Sequence, residues 1–239
     1  RLLPGRGCFV DDIKLPGMLH AVILRSPFAH GQLKSVDIAA ATAMPGVHTV
    51  ITAADLDDII PCVPLRLMPM AELKPFAQPV MAWSKVRYVG EALAVVLADS
   101  AALAEDALAG IVVEIEPLPA VSNRQNALAG ESLLFEEWGS NKAVTYTASK
   151  GEVDPAFASA DYVRRERFAT QRHLALPMEA RGVLAEWDAA SEQLTVHGAA
   201  KVPFANRKIL ASMIHLPEGS IEMIENDVGG GFGARGEFF

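Results

Sequence analysis

Eight residues near the end of the chain, Gly229-Gly230-Gly231-Phe232-Gly233-Ala234-Arg235-Gly236, constrain it more than any other stretch. Five of the eight are glycine, which loses more conformational freedom on folding than any other residue, so a run this dense needs a geometric reason. Bare backbone allows something to come close. Unblocked N–H groups in successive right- and left-handed conformations form an anion-receptive nest, and Phe232 could wall one side of a small pocket. A tight turn or glycine bulge at a strand end explains the same residues, and spacing alone leaves both readings open. Gly231, Gly233 and Gly236 also match the GxGxxG spacing of a dinucleotide fingerprint. The context is wrong for it, because no helix can follow within the three residues left and there is no acidic residue some 20 positions on.

The chain that carries this run has 239 residues, 51% of them hydrophobic and 21% charged, as expected of a folded protein rather than a disordered one. Its 21 Lys and Arg against 29 Asp and Glu leave a net charge of -8, which argues against a dedicated nucleic-acid binder or an anionic membrane surface as partner. Cys8 and Cys62 stand far apart and outside any CxxC pairing, against a disulfide scaffold, a structural zinc site or an iron–sulfur cluster held by this chain. No apolar run reaches the ~18–20 residues of a spanning helix, and the opening RLLPGRGCFVDD lacks the apolar core of a secretory signal. A cytoplasmic location is the expectation. The chain opens on Arg1 and stops at Phe239 soon after the glycine run, so it is expected to be a fragment.

Hydrophobic patterning predicts strands over residues 18–25 and 46–52, joined by a turn-rich link carrying Ser26-Pro27 and Pro45-Gly46. A short helix is expected to begin at residue 53, and the prolines between residues 61 and 79 read as a surface excursion. The apolar run 92–98, a helix over 101–109 capped by Asp99 or Ser100, and the run 111–118 read as a β-α-β unit with parallel strands and a right-handed crossover. That helix should turn Leu103, Ala104, Ala107 and Leu108 to a sheet and Glu105 and Asp106 to water. A shift to Asn, Gln, Gly and Ser near residues 120–145 marks a boundary, giving a first domain over 1–122, a linker over 123–145 and a second domain over 146–239. In the second domain Asp154-Pro155 should open a short helix ending near Ala160. Residues 162–172, 182–188, 193–200 and 220–228 read as strands, and 203–215 as an amphipathic helix.

A second constellation is Gln171-Arg172-His173 with Pro177-Met178-Glu179-Ala180-Arg181-Gly182. In an extended segment Glu179 and Arg181 project to the same side, where they could bind a polar ligand, or serve as an ion pair or hydrogen-bond anchor beneath a loop. His173 has no visible partner, and none of the six histidines falls in a metal-ligand spacing. The stretch Val86-Arg87-Tyr88-Val89-Gly90-Glu91 reads as a strand with a bend, and no nucleophile elbow is present.

Taken together, RLLPGRGCFVDDIKLPGMLHAVILRSPFAHGQLKSVD, VRYVGEALAVVLAD, VVEIEPLPAV, TQRHLALPMEARG and NDVGGGFGARGE resemble, in order, the molybdenum-binding large subunit of the xanthine dehydrogenase, aldehyde oxidase and carbon monoxide dehydrogenase family. The resemblance spans essentially the whole chain. It implies an α+β chain, with an α/β hammerhead domain built on a mixed sheet and a β-α-β unit, followed by the first part of a molybdopterin-binding domain. It implies a molybdenum–pterin dinucleotide cofactor, in bacterial members commonly the cytosine form, with FAD and [2Fe–2S] clusters on partner subunits or domains. The implied reaction is water-derived oxidation of an aldehyde, an N-heterocycle or carbon monoxide.

On this reading Gly229, Gly230, Gly231, Phe232, Gly233 and Lys201 are the cofactor-binding candidates. The family's base glutamate lies beyond Phe239, so no catalytic residue and no metal ligand is assigned within the chain, which alone should catalyse nothing. Lys201, in AAKVPFANR, stands where the family commonly has a Gln facing the metal. Glu237 comes one position later than the glutamate that follows the loop in xanthine-type enzymes, where Gly236 would stand, which weakens a xanthine substrate. The rival reading is a non-catalytic assembly or protein-binding module, with its pocket residues structural.

Overall fold

Leu93, Ala94, Val96 and Ala98 are all at most 1% exposed, which is what an uninterrupted apolar strand achieves when partners cover both its edges and both its faces. The computed structural model describes residues 2–56, 61–64, 70–171, 173–198 and 201–235. Its first half runs β1 (His20–Arg25), β2 (Gly31–Asp37), α1 (Ala39–Thr42), β3 (Val47–Thr52), β4 (Lys85–Val86), β5 (Ala92–Ala98), α2 (Ala101–Leu108) and β6 (Val112–Pro117). These strands form two antiparallel ladders, ordered β1-β5-β3 and β4-β2-β6. Leu24, Val36 and Val113 pack against the core of both ladders and join them into one body.

Helix α2 behaves as its sequence predicts. The Ser100 hydroxyl accepts the Leu103 N–H at 3.2 Å, satisfying one of the donors that a helix start leaves open. Ala104 and Ala107 are fully buried against the first ladder, Leu103 and Leu108 pack beside them, and Glu105 and Asp106 face water. The small face draws the helix close: a Cβ on Gly110 would lie 2.9 Å from the Ala41 nitrogen.

The order strand, helix, strand over 92–117 is as expected, but the parallel pairing is not. β5 already has β1 and β3 on its two edges, so β6 has no free edge beside it and pairs antiparallel with β2 instead. Sequence patterning also passed over β2 and α1, reading GQLKSVD as part of a turn-rich link, because its apolar positions are few and half of it faces water. The helix expected from residue 53 is a single 3-10 turn, Ala53–Asp55, and residues 57–60 lie outside the described ones. A 3-10 helix, Ala71–Phe76, sits inside the proline-rich excursion.

Between residues 119 and 141 the chain is ordered against the second ladder. It contains α3 (Arg124–Ala129) and a 3-10 turn at Glu136–Trp138. Lys85 Nζ meets Glu136 Oε2 at 2.7 Å, Arg87 Nε donates to the Leu134 carbonyl at 2.9 Å, and Phe76 stands edge-on to Phe135 and Trp138. Beyond it lies α4 (Val153–Ala158), which begins one residue ahead of Asp154, with Glu152 at the cap position, and ends before Ala160. Of the strand expected over 162–172, residues 162–171 form none: their β-favouring side chains are exposed and no strand among the described residues pairs with them, while Arg172 lies outside those residues.

The second half contributes β7 (Val183–Asp188), β8 (Gln193–Gly198), α5 (Pro203–Ile214) and β9 (Ile221–Ile224). β7 and β8 are an antiparallel hairpin, whereas β8 and β9 are parallel with α5 crossing between them. The mixed sheet with a parallel β-α-β unit is therefore here. Pro203 occupies the first turn of α5, where its missing N–H costs nothing, and His215 ends the helix at φ 56°. Among the described residues no helix is long and apolar enough to cross a membrane.

Glu91 is a buried carboxyl, 1% exposed, at the turn that leads into β5. Its Oε2 accepts the Arg87 N–H at 2.6 Å, while its carbonyl receives the Ser26 N–H at 2.8 Å. Burial is the largest influence on it and pushes its pKa up, against the lowering effect of the Arg87 N–H and charge. Between its ordinary and its raised pKa the folded state holds more protons than the unfolded one, so this group makes stability fall as pH rises. Glu91→Gln keeps an acceptor for Arg87 and removes the ionisation. Denaturant titrations at several pH values should show the variant losing less stability than the wild type as pH rises through that window; parallel losses would show that Glu91 does not titrate with folding.

Candidate functional site

The glycine run begins after residues 225–228, beyond the carboxyl end of β9 in the parallel pair. Gly230 has φ 111°, Phe232 45° and Gly233 88°. With the Ala234 N–H donating to the Gly231 carbonyl at 2.8 Å, residues 231–234 form a turn whose two central residues both lie on the left-handed side, the type I′ arrangement. At Phe232 and Gly233 two left-handed residues in succession thus replace the alternating hand of a nest. Phe232, a non-glycine residue in that region, projects its side chain outward and is 78% exposed.

What holds this turn lies beneath it. Arg235 and Glu179 side chains, only 6% and 10% exposed, form an ion pair at 3.0 Å. Glu179 Oε2 also accepts the Gly229 N–H at 2.8 Å. Arg235 donates from Nε to the Gly230 carbonyl at 2.7 Å and from Nη2 to the Glu179 carbonyl at 2.8 Å. Arg181 donates to the Ala234 carbonyl, and burial together with the Arg235 charge lowers its pKa. Glu179 and Arg181 therefore both anchor the loop and do not pair with each other. A Cβ on Gly229 would lie 2.4 Å from the Glu179 Cβ, so glycine is needed there for close packing.

A strap from the other end of the chain completes the support. Cys8 donates its N–H to Asp227 Oδ2 at 2.8 Å, and the Asp227 N–H returns to the Cys8 carbonyl at 3.0 Å. Val10 lies over Gly182, where a Cβ would come within 2.8 Å of its methyl group.

Above the turn is an open cleft of about 400 Å³ lined by Lys201, Glu225, Val228, Gly231, Phe232, Gly233 and Arg235. Of the residues singled out from sequence, Lys201, Gly231, Phe232 and Gly233 share this cleft, while Gly229 and Gly230 pack against Glu179 and Pro177 below. A second cleft of about 340 Å³ opens on the other side of Arg235, between Leu176, Pro177, Arg181 and Ala234. His173 is exposed and has no partner among the described residues; Arg172, Gly236 and Glu237 lie outside them. Sequence reasoning missed Arg235 as the anchor, along with Glu225 and the Cys8–Asp227 tie. An arginine inside a run of glycines was the one available signal.

Residues 4–119 match the family model for the aldehyde oxidase and xanthine dehydrogenase a/b hammerhead domain, and residues 134–239 match that for the molybdopterin cofactor-binding domain. The chain belongs to the molybdenum-binding large-subunit family of xanthine dehydrogenase and aldehyde oxidase. Within this family it is 38% identical to 6-hydroxypseudooxynicotine dehydrogenase complex subunit gamma of Paenarthrobacter nicotinovorans, over 100% of this chain and 30% of that protein. It superposes on quinoline 2-oxidoreductase from Pseudomonas putida 86 with a TM-score of 0.82 at 38% identity, covering 98% of this chain and 30% of that one. Carbon monoxide dehydrogenase from Oligotropha carboxidovorans gives a TM-score of 0.88 at 31% identity, covering 100% of this chain and 31% of that one. The chain spans about 30% of the length of the curated relatives it matches.

The residues present suit an oxygen-rich, anionic pterin cofactor. Among the described residues the N–H groups of Gly230, Gly231, Phe232 and Gly233 have no acceptor, and Lys201 brings a cation to the cleft beside Glu225, while the Arg235 charge is paired with Glu179. Space is left for close approach, since a Cβ on Gly233 would meet nothing within 4 Å and one on Gly231 only the Arg235 Cδ at 3.9 Å.

The packing at Gly229 predicts that Gly229→Ala costs about 1–3 kcal/mol of stability in denaturant unfolding. Gly219→Ala, at a position with open space around it, should stay within about 0.5 kcal/mol of the wild type. Equal effects would show that the contact with Glu179 is not tight.

Proposed function

We propose that this chain is the N-terminal part of the molybdopterin-binding subunit of a cytoplasmic molybdenum hydroxylase. The complete enzyme oxidises an aldehyde, an N-heterocycle or carbon monoxide with oxygen taken from water, and passes the electrons to iron–sulfur and FAD partners. The observation that carries this reading is the type I′ turn at residues 231–234, where Gly231, Phe232 and Gly233 have N–H groups without acceptors and line a cleft together with Lys201. Relatives named for N-heterocycle and carbon monoxide oxidation support the substrate range.

In this reading the N–H groups of Gly231, Phe232 and Gly233 hold anionic oxygen of a molybdenum–pterin dinucleotide, the cytosine form, and act as donors fixed before the reaction begins. When bound, that group supplies the two-electron oxidation. Phe232 presents an aromatic wall to a flat substrate or to the cofactor edge. Lys201 adds a positive charge where an amide is usual, favouring negative charge in the cleft and discriminating among substrates by what they carry there.

Gly231→Val tests the turn in the complete enzyme. Its Cβ would meet only the Arg235 Cδ, at 3.9 Å, so melting should change by no more than about 0.5 kcal/mol in equivalent stability, while turnover falls about a hundredfold or more. Losses confined to stability would make the turn structural and favour a non-catalytic module.

Lys201→Gln should shift the ratio of kcat/KM for an aldehyde over an N-heterocycle by about tenfold, or move the pH profile of turnover. Identical ratios and profiles would remove Lys201 from the site.

A further inference from the structure

Four carbonyls of the glycine turn are taken up by donors within the protein. Gly229 O receives the Glu179 N–H at 3.5 Å, Gly230 O receives Arg235 Nε at 2.7 Å, Gly231 O receives the Ala234 N–H at 2.8 Å, and Ala234 O receives Arg181. The Gly229 N–H is the one donor turned down, to Glu179. The N–H groups of Gly230, Gly231, Phe232 and Gly233 and the carbonyls of Phe232 and Gly233 have no partner among the described residues. A glycine-rich segment has no side chains to fix its peptide planes, and rotating one plane would exchange an N–H for a carbonyl oxygen. The Gly230 plane is fixed by Arg235, whose planar fork reaches Gly230 O and the Glu179 carbonyl and carboxylate together, from a buried position between the two clefts.

We propose that Arg235, with Glu179 as its fixed counterion, is the positioning residue that fixes the orientation of the glycine turn, holding the Gly230 carbonyl inward so that the free N–H groups of the turn keep one arrangement toward the bound cofactor. The pair acts through Gly230 and needs no contact with the reacting atoms. Charge alone does not do this, because a lysine ammonium lacks the planar fork that spans these acceptors. This rests on the reading of the cleft as a molybdenum–pterin site.

The test uses the complete enzyme with its cofactor loaded. Arg235→Gln and Arg235→Lys are compared with the wild type for molybdenum content, melting temperature, kcat and KM separately, and the visible circular dichroism of the bound cofactor. Both variants should retain metal within about twofold, show a shifted visible dichroism and lose about tenfold or more in kcat, with KM within about threefold, as expected when donors are misplaced rather than binding lost. Wild-type kcat and dichroism in Arg235→Lys would overturn the proposal. So would loss confined to melting temperature and metal content, with the remaining loaded enzyme turning over normally.

Should neither variant accumulate, Glu179→Gln carries the same comparison. It keeps an acceptor for Gly229 and nearly the same volume while removing the counterion; a shifted dichroism and lowered kcat are expected, and an unchanged spectrum with unchanged turnover overturns the proposal. Wild-type protein without molybdenum would sink the site reading and this inference with it, whereas metal-loaded wild type with unshifted variants would sink the inference alone.

Discussion

A buried ion pair, Glu179 with Arg235, is the interaction on which the site depends. Two charges withdrawn from water are costly unless every lone pair and proton is used. Here Oε2 of Glu179 serves both Arg235 and the Gly229 N–H, and the guanidinium also serves the carbonyls of Gly230 and Glu179, so most of that cost is offset, although Glu179 Oε1 is buried without a partner among the described residues. Removing one partner would leave an uncompensated charge, at a cost of about 3–5 kcal/mol. Glycines that would otherwise sample many shapes are held in one by two side chains from positions 179 and 235.

The rest of the fold delivers these two positions to each other. β9 is pinned parallel to β8, and α5 crosses over them, so the run after Ile224 starts from a fixed point. The segment 179–181 enters β7 of the same sheet, so both halves of the clamp are fastened to one three-stranded sheet. The Cys8–Asp227 tie fastens the N-terminal segment to the chain just ahead of the glycines. The hammerhead body therefore reaches the turn through its own first residues.

Local physics was legible in the sequence wherever one element decided its own shape. Ser100 as a cap, the alanine face of 104 and 107, Pro203 in the first turn of α5 and the apolar run 92–98 all needed only near neighbours. Pairing was not legible, because the edges that β6 could use depended on β1 and β3 having taken β5 first. The stretch 162–171 shows the same limit in reverse, with strand-like residues and no ladder to join. At the site, the glycines and Lys201 were visible as unusual residues, and Glu179 and Arg181 as an anchor beneath a loop. The partner of Glu179 was not visible, since a separation of 56 positions from Arg235 leaves no periodicity to read.

The Cys8–Asp227 tie joins residues 219 positions apart. A contact of such separation closes late, after the segments between have found their own structure, because the entropy of a long loop must be overcome before the contact contributes. During synthesis the N-terminal strap emerges first and has nothing to grip until the ninth strand has left the ribosome. The order of events is thereby written into the chain: the hammerhead can mature before the glycine turn, which takes its shape only once its earliest-made segment is recruited to brace it.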